Sequence, residues 1–207
     1  MKKCIVIFSV ILGSFSFGHS QTFNIFVEPG ELFTATGTPI SSSNQQGFNI
    51  FTAPYSVSTG DANDFFSTLE ANLLSFDEVA TGVEELKTFL GSHSWTSLTS
   101  SDISGIDFEA SSVTTSEGSR PLLFITDASS FSEIGLGSQI GLAGATTTAG
   151  SFGLTNYAFN AGSNSLTEIY IGQSGSLHAL QIVPEPSIYA ALAGLCALAL
   201  VAVRRRR

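Results

Sequence analysis

The chain has 207 residues, with 17 acidic side chains against 8 basic ones, a formal net charge of −9 and a pI near 4.6. That length suits one domain with its own core, and the acidity excludes phosphate backbones as a binding partner. The cysteines, Cys4 and Cys196, both lie in terminal apolar stretches, so no disulfide framework spans the middle of the chain.

Met1-Lys2-Lys3 followed by an apolar run over residues 4–17, with the small residues Gly18 and Ser20 after it, reads as a secretory signal peptide over residues 1–20. Cys4 falls too early in it to be a lipoprotein cysteine. The exported region is then 21–183. Apart from Glu185 all the acidic residues remain in it, whereas Lys87 and Arg120 are its only bases. Its net charge of about −14 suits solubility outside the cell, and a sharper reading is divalent-cation binding, with calcium bridging to an acidic polysaccharide.

The texture of this region, rich in Ser, Thr, Gly and Phe with short apolar runs, predicts strands joined by turns. Phe23-Asn24-Ile25-Phe26 recurs as Phe48-Asn49-Ile50-Phe51, each followed by a proline. Two copies are too few for a solenoid, so they read as a pair of similar strands placed side by side. The two-residue period puts Phe23 with Ile25, and Phe48 with Ile50, on one face, and Phe26 and Phe51 on the other.

Residues 60–90 carry the helical signal. Phe65, Phe66, Leu69, Leu73 and Phe76 follow a helical spacing, with Asp61 and Asp64 near the start. A second segment aligns Val79, Val83, Leu86 and Leu90, entered by Ser75 with Glu78 at capping-box spacing, although Gly82 weakens it. The alternative is a strand over 73–77 followed by a turn. Trp95 reads as a core anchor rather than a stacking platform for sugar.

Strands are then expected over 103–108, 121–126, 139–143, 152–159, 166–171 and 177–183, with 121–126 apolar enough to be a central buried strand. The fold class is mainly β: a single β-sandwich-like domain with one or two short α-helices.

Motifs for catalysis are missing from the exported sequence. His93 and His178 have no metal-ligand spacing around them, and no exported thiol exists. Gly172-Gln173-Ser174-Gly175 is not a nucleophile elbow, and Gly137, Gly141 and Gly144 do not form a dinucleotide fingerprint. Asp61-Ala62-Asn63-Asp64 has the flavour of a calcium loop but lacks the distal glutamate, and fits a helix start better. Asp107, Glu109, Asp127 and Glu133 are the carboxylates from which a glycosidase pair would be drawn. Thr34-Ala35-Thr36 and Thr146-Thr147-Thr148 are too isolated for an ice-binding array. The site assignment is therefore no catalytic residue, no metal ligand and no cofactor, with calcium the one ion that the acidity suggests.

The C-terminal segment is a three-part unit. Pro184-Glu185-Pro186-Ser187 precedes an uncharged stretch over 188–203, and Arg204, Arg205, Arg206 and Arg207 end the sequence. As a helix the stretch would be roughly 24 Å long, somewhat short of the roughly 30 Å hydrocarbon core, a gap closed by arginine snorkelling and local thinning. The arginines act as a membrane-stop cluster held on the cytoplasmic side.

This order resembles a PEP-CTERM sorting signal, a label also given to the C-terminal segment of some ice-binding proteins. The resemblance implies a Gram-negative bacterium that makes extracellular polysaccharide. It also implies an exosortase, an integral-membrane cysteine transpeptidase-like enzyme that cuts near the motif. Pro184, Glu185 and Pro186 carry over as recognition residues of a substrate. The resemblance covers about 24 of the 207 residues and leaves 21–183 unassigned. The function it implies is an exported cell-surface or exopolysaccharide-matrix protein, non-enzymatic, tethered by its C-terminal helix and then processed. The alternatives are a glycan- or ice-binding adhesin and a secreted hydrolase with an unrecognised carboxylate site.

Overall fold

The computed structural model of the chain describes residues 20–56, 59–116, 118–145, 154–159, 167–173, 176–182 and 194–197. Residues 1–19 of the expected signal peptide, the motif Pro184-Glu185-Pro186, the cluster Arg204 to Arg207 and most of the 188–203 stretch lie outside them, whereas Ser20, placed last in that segment, pairs with Ser116 as the first residue of a strand. Residues 194–197 are helical and exposed. Among the described residues no helix is long and apolar enough to cross a membrane.

The fold is mainly β. In chain order the elements are β1 (Ser20–Val27), β2 (Leu32–Phe33), β3 (Asn49–Tyr55), α1 (Thr59–Leu74), α2 (Val79–Gly91), β4 (Thr96–Ser97) and β5 (Thr99–Ser100). After them come β6 (Phe108–Ser116), β7 (Arg120–Thr126), a 3-10 turn (Phe131–Glu133), β8 (Gln139–Ala145), β9 (Leu154–Phe159), β10 (Thr167–Ile171), β11 (Leu177–His178) and β12 (Leu180–Gln181). One sheet runs β5-β6-β1-β9. A larger one runs β10-β8-β7-β3-β4, with β12 added to β8, and β11 pairs with β2.

Two apolar cores separate three layers. Phe23, Ile25, Val27, Phe108 and Val113 of the smaller sheet meet Ile50, Leu123, Ile125 and Ala143 of the larger one. On the opposite face of the larger sheet, Leu122, Phe124, Ile140, Leu142 and Tyr170 pack with Phe66, Leu69, Leu73, Leu86 and Leu90 of the helices. Because β7 lies between both cores, all its residues are buried. Its unbroken apolar run, without alternation, is what a strand covered on both faces requires.

The two Phe-Asn-Ile-Phe copies do share the faces expected of them, but they are not neighbours. β1 pairs with β6 and β9, and β3 with β4 and β7. Phe23, Ile25, Phe48 and Ile50 meet in the core between the sheets. Similar strands thus lie in different sheets and turn their apolar faces to the same core, since each sheet needs an apolar inner face.

Both helices form, so the 73–77 strand does not. Gly82, the residue that weakened the sequence argument, sits at the contact between them: a Cβ there would lie 3.0 Å from the backbone of Asn72 and Leu73. The capping box does not form. α2 starts at Val79 with no side-chain cap, while Val79 N–H donates to the Ser75 carbonyl at 2.9 Å. Phe65 and Phe76, expected with the buried row, are 40 % and 41 % exposed. Phe65 adjoins Phe66 in sequence, and a helix turns about 100° between them, so only one can face the sheet.

The second half requires two corrections. Residues 103–107 form a turn with Ile103 50 % exposed, and the strand begins only at Phe108. Residues 177–183 split into β11 and β12, because Ala179 turns its N–H to the Phe33 carbonyl at 2.8 Å before Leu180 joins β8.

Candidate functional site

The most developed polar cluster lies where α1 crosses the β10 edge of the larger sheet. Antiparallel pairing sets Tyr55 opposite Arg120. Arg120 is only 2 % exposed, and its guanidinium carbon stands 5.9 Å from the centre of the Tyr55 ring, within cation–π range. Tyr170 on β10 packs on Phe66 with ring centres 4.7 Å apart. Its hydroxyl donates to Glu168 Oε2 at 3.3 Å, and Asn63 Nδ2 donates to Glu168 Oε1 at 2.8 Å.

Burial pushes the Tyr170 hydroxyl up to about 12; the Arg120 charge opposes this, while Glu168 adds to it. Tyr55 is also raised by burial, with Arg120 again opposing and Asp61 adding. Glu70 completes the cluster by accepting the Gly172 N–H at 2.9 Å. Gly172 has φ +120°, and a Cβ there would fall 2.3 Å from the His178 carbonyl oxygen, so only glycine fits.

Glu70 and Glu168 line one small pocket of about 320 Å³ together with Asn63, Ser67 and Tyr170. Both accept from donors of another element. Their chemistry is that of fixed acceptors that strap α1 to the sheet edge.

Of the residues singled out in the sequence, the cluster takes in Asn63, Gly172, the base Arg120 and Phe66 of the helical row. Asp61-Ala62-Asn63-Asp64 forms part of the opening turns of α1, with Asp61 in the first turn and Ala62 buried. Glu109 belongs to β6 of the smaller sheet and Asp107 to the connection just before it, whereas Asp127 and Glu133 sit in the β7–β8 connection. There Asp127 accepts the Gln139 N–H at 2.8 Å and Glu133 accepts the Ser129 hydroxyl. His93 hydrogen-bonds through Nδ1 to the Phe89 carbonyl at 2.9 Å, while His178 stacks on Phe33 at 4.5 Å. Trp95 is half-buried at the border of the helix-side core and donates Nε1–H to the Leu90 carbonyl at 2.9 Å. Gly144 serves packing, since a Cβ would meet the Tyr170 ring at 2.5 Å. Among the described residues no group of three or more His, Cys, Asp and Glu is placed to hold a metal ion.

A second feature is a groove of about 810 Å³ on the outer side of the helical layer. Phe65 and Phe89 supply its aromatic surface, with ring centres 5.8 Å apart. Ala80, Thr81, Thr88 and Ser92 give it small side chains, and Glu84 and Glu85 give it charge.

No family model, curated protein or solved structure matches this chain. The functional reading therefore rests on its own residues.

Sequence reasoning missed the Glu70–Glu168 pair because one is on a helix and the other on a distant strand, with no spacing to link them. For the groove a signal existed: Phe65 beside Phe66 gives the helix one aromatic residue more than its buried face can take.

Proposed function

We propose that this is an exported cell-surface or exopolysaccharide-matrix protein, non-enzymatic, sorted and processed through its C-terminal PEP-CTERM-type signal. The observation that carries the reading is the order of the final segment: Pro184-Glu185-Pro186, the uncharged stretch 188–203 and then Arg204 to Arg207, behind an N-terminal signal peptide. An exosortase-type enzyme is the processing partner, and the membrane holds the tail until the cut.

The end of the domain supports this. Ile182 is buried, donates its N–H to the Ser138 carbonyl at 2.9 Å and accepts from the Gly137 N–H at 2.8 Å. The motif begins two positions later in the sequence, so recognition takes place close beside a folded domain. The acidity of the exported part suits a hydrated matrix, in which like-charged chains stay dispersed.

The test is fractionation of a version tagged just after Gln21, in a host with and without its exosortase. Release from the membrane only when the enzyme is present, blocked by replacing Pro184-Glu185-Pro186 with alanines, is the expected result. Retention in both strains would make the tail an ordinary anchor and overturn the sorting reading.

A further inference from the structure

The helical layer is unfinished on its outer side. Two helices cover the larger sheet, and beside α2 the groove leaves Phe65 uncovered, the more exposed of its two rings. Along α2 and its C-cap the positions Thr81, Glu84, Glu85, Thr88 and Ser92 recur at helical spacing and form one stripe facing that groove. Small side chains in such a stripe let another helix approach to the usual 8–10 Å between axes.

Charge indicates what kind of helix it would be. The segment 59–91 carries Asp61, Asp64, Glu70, Asp77, Glu78, Glu84 and Glu85 against the single base Lys87. Lys87 is already engaged, with Nζ 3.2 Å from Glu84 Oε1. A second copy of this acidic face would be repelled. Residues 194–197 of the chain's own tail are helical but exposed.

We propose that the groove receives a basic amphipathic helix of a partner protein. Its apolar side would rest on Phe65 and Phe89, and its lysines or arginines would meet Glu84 and Glu85. This is a helix-in-groove contact in which apolar anchors supply affinity while charge selects the partner and speeds encounter. The inference stands apart from the sorting reading, because it concerns the exported domain whatever becomes of the tail.

The test uses the full chain and a fluorescent leucine/lysine peptide of about five helical turns, followed by anisotropy. Three variants are compared: Phe65→Ser, paired Glu84→Gln/Glu85→Gln, and as charge-matched control paired Asp102→Asn/Glu109→Gln, two acids in and beside β6 of the smaller sheet, neither of them lining the groove. Circular dichroism checks that each variant is folded. Micromolar binding is expected, weakened about tenfold or more by each groove variant and changed less than about twofold by the control. An equal loss with both charge pairs would mean general attraction between a cation and an acidic protein, and the proposal falls. It also falls if the peptide does not bind. A peptide of residues 188–207 that binds more tightly than the probe would assign the groove to the chain's own tail, and self-association blocked by Phe65→Ser would assign it to a second copy. Either result overturns the partner reading.

Discussion

The side-chain oxygen of Asn24 accepts the backbone N–H of Ser112 at 3.0 Å, across a β-bulge. Phe23 pairs with Val113 and Ile25 with Ala110, so Ser111 and Ser112 together oppose Asn24. Ser112 adopts φ +59°, the left-handed region. The bulge moves the inward positions of β6 from Phe108 and Ala110 to Val113 and Thr115, and both sets stay buried. Asn24→Ala removes the acceptor and should cost about 1–2 kcal/mol in urea unfolding, whereas Asn24→Asp keeps most of the stability. Ser112→Gly should gain about 0.5–1 kcal/mol by relieving the backbone, and an unchanged midpoint would show that the bulge is unstrained.

The same bulge explains why β6 was the strand least legible in the sequence. Alternation is the signal by which a strand is read, and in Phe108-Glu109-Ala110-Ser111-Ser112-Val113 it changes phase halfway. The Ser/Thr content of 111–116 then resembles a loop. By contrast β7 was legible because burial on both faces leaves a continuous apolar run, and α1 because Phe66, Leu69 and Leu73 keep a helical period. The break at Ala179 was not legible, since a strand that changes partners keeps its composition. The Glu70–Glu168 pocket is a product of tertiary packing.

Gly82→Ala is a case in which helix propensity and packing disagree. Propensity alone would favour alanine by about 1 kcal/mol. The new Cβ would stand 3.0 Å from Asn72 and Leu73 backbone atoms, which cannot rotate away. The helices must separate, so a net loss of about 1–3 kcal/mol is expected from chemical denaturation. A gain in stability would mean that α1 and α2 can move apart freely.

Arg120 should respond differently to two replacements. Arg120→Ala leaves a cavity and strips a buried polar cluster of its cation, at a cost of about 3–5 kcal/mol. Arg120→Met fills much of the same volume without charge and should recover more than half of that loss. Equal destabilisation by both would place the importance in the charge.

Alkaline pH should unfold the protein through its tyrosines. Tyr170 is pushed up to about 12, and Tyr55 and Tyr157 are also raised by burial. In the unfolded chain these hydroxyls ionise near 10, so above that pH the unfolded state loses protons that the folded state retains. Stability is therefore fully present below about pH 10 and declines from there toward about pH 12. Tyr170→Phe should shift the alkaline midpoint upward, with tyrosinate absorbance and far-ultraviolet circular dichroism changing together. Tyrosinate appearing well before the dichroism changes would contradict the link.

The placement of β1 has a consequence for how the chain comes together in time. The first strand lies between β6 and β9, and Thr22 runs alongside Leu154 in parallel register. Both neighbours are made later than β1 itself, and one comes from the last third of the chain. A protein delivered N-terminus first cannot close its smaller sheet until residue 159 has emerged, and such distant pairings are slow to form. Until then β1 has one edge unpaired, and the core between the two sheets stays open along it.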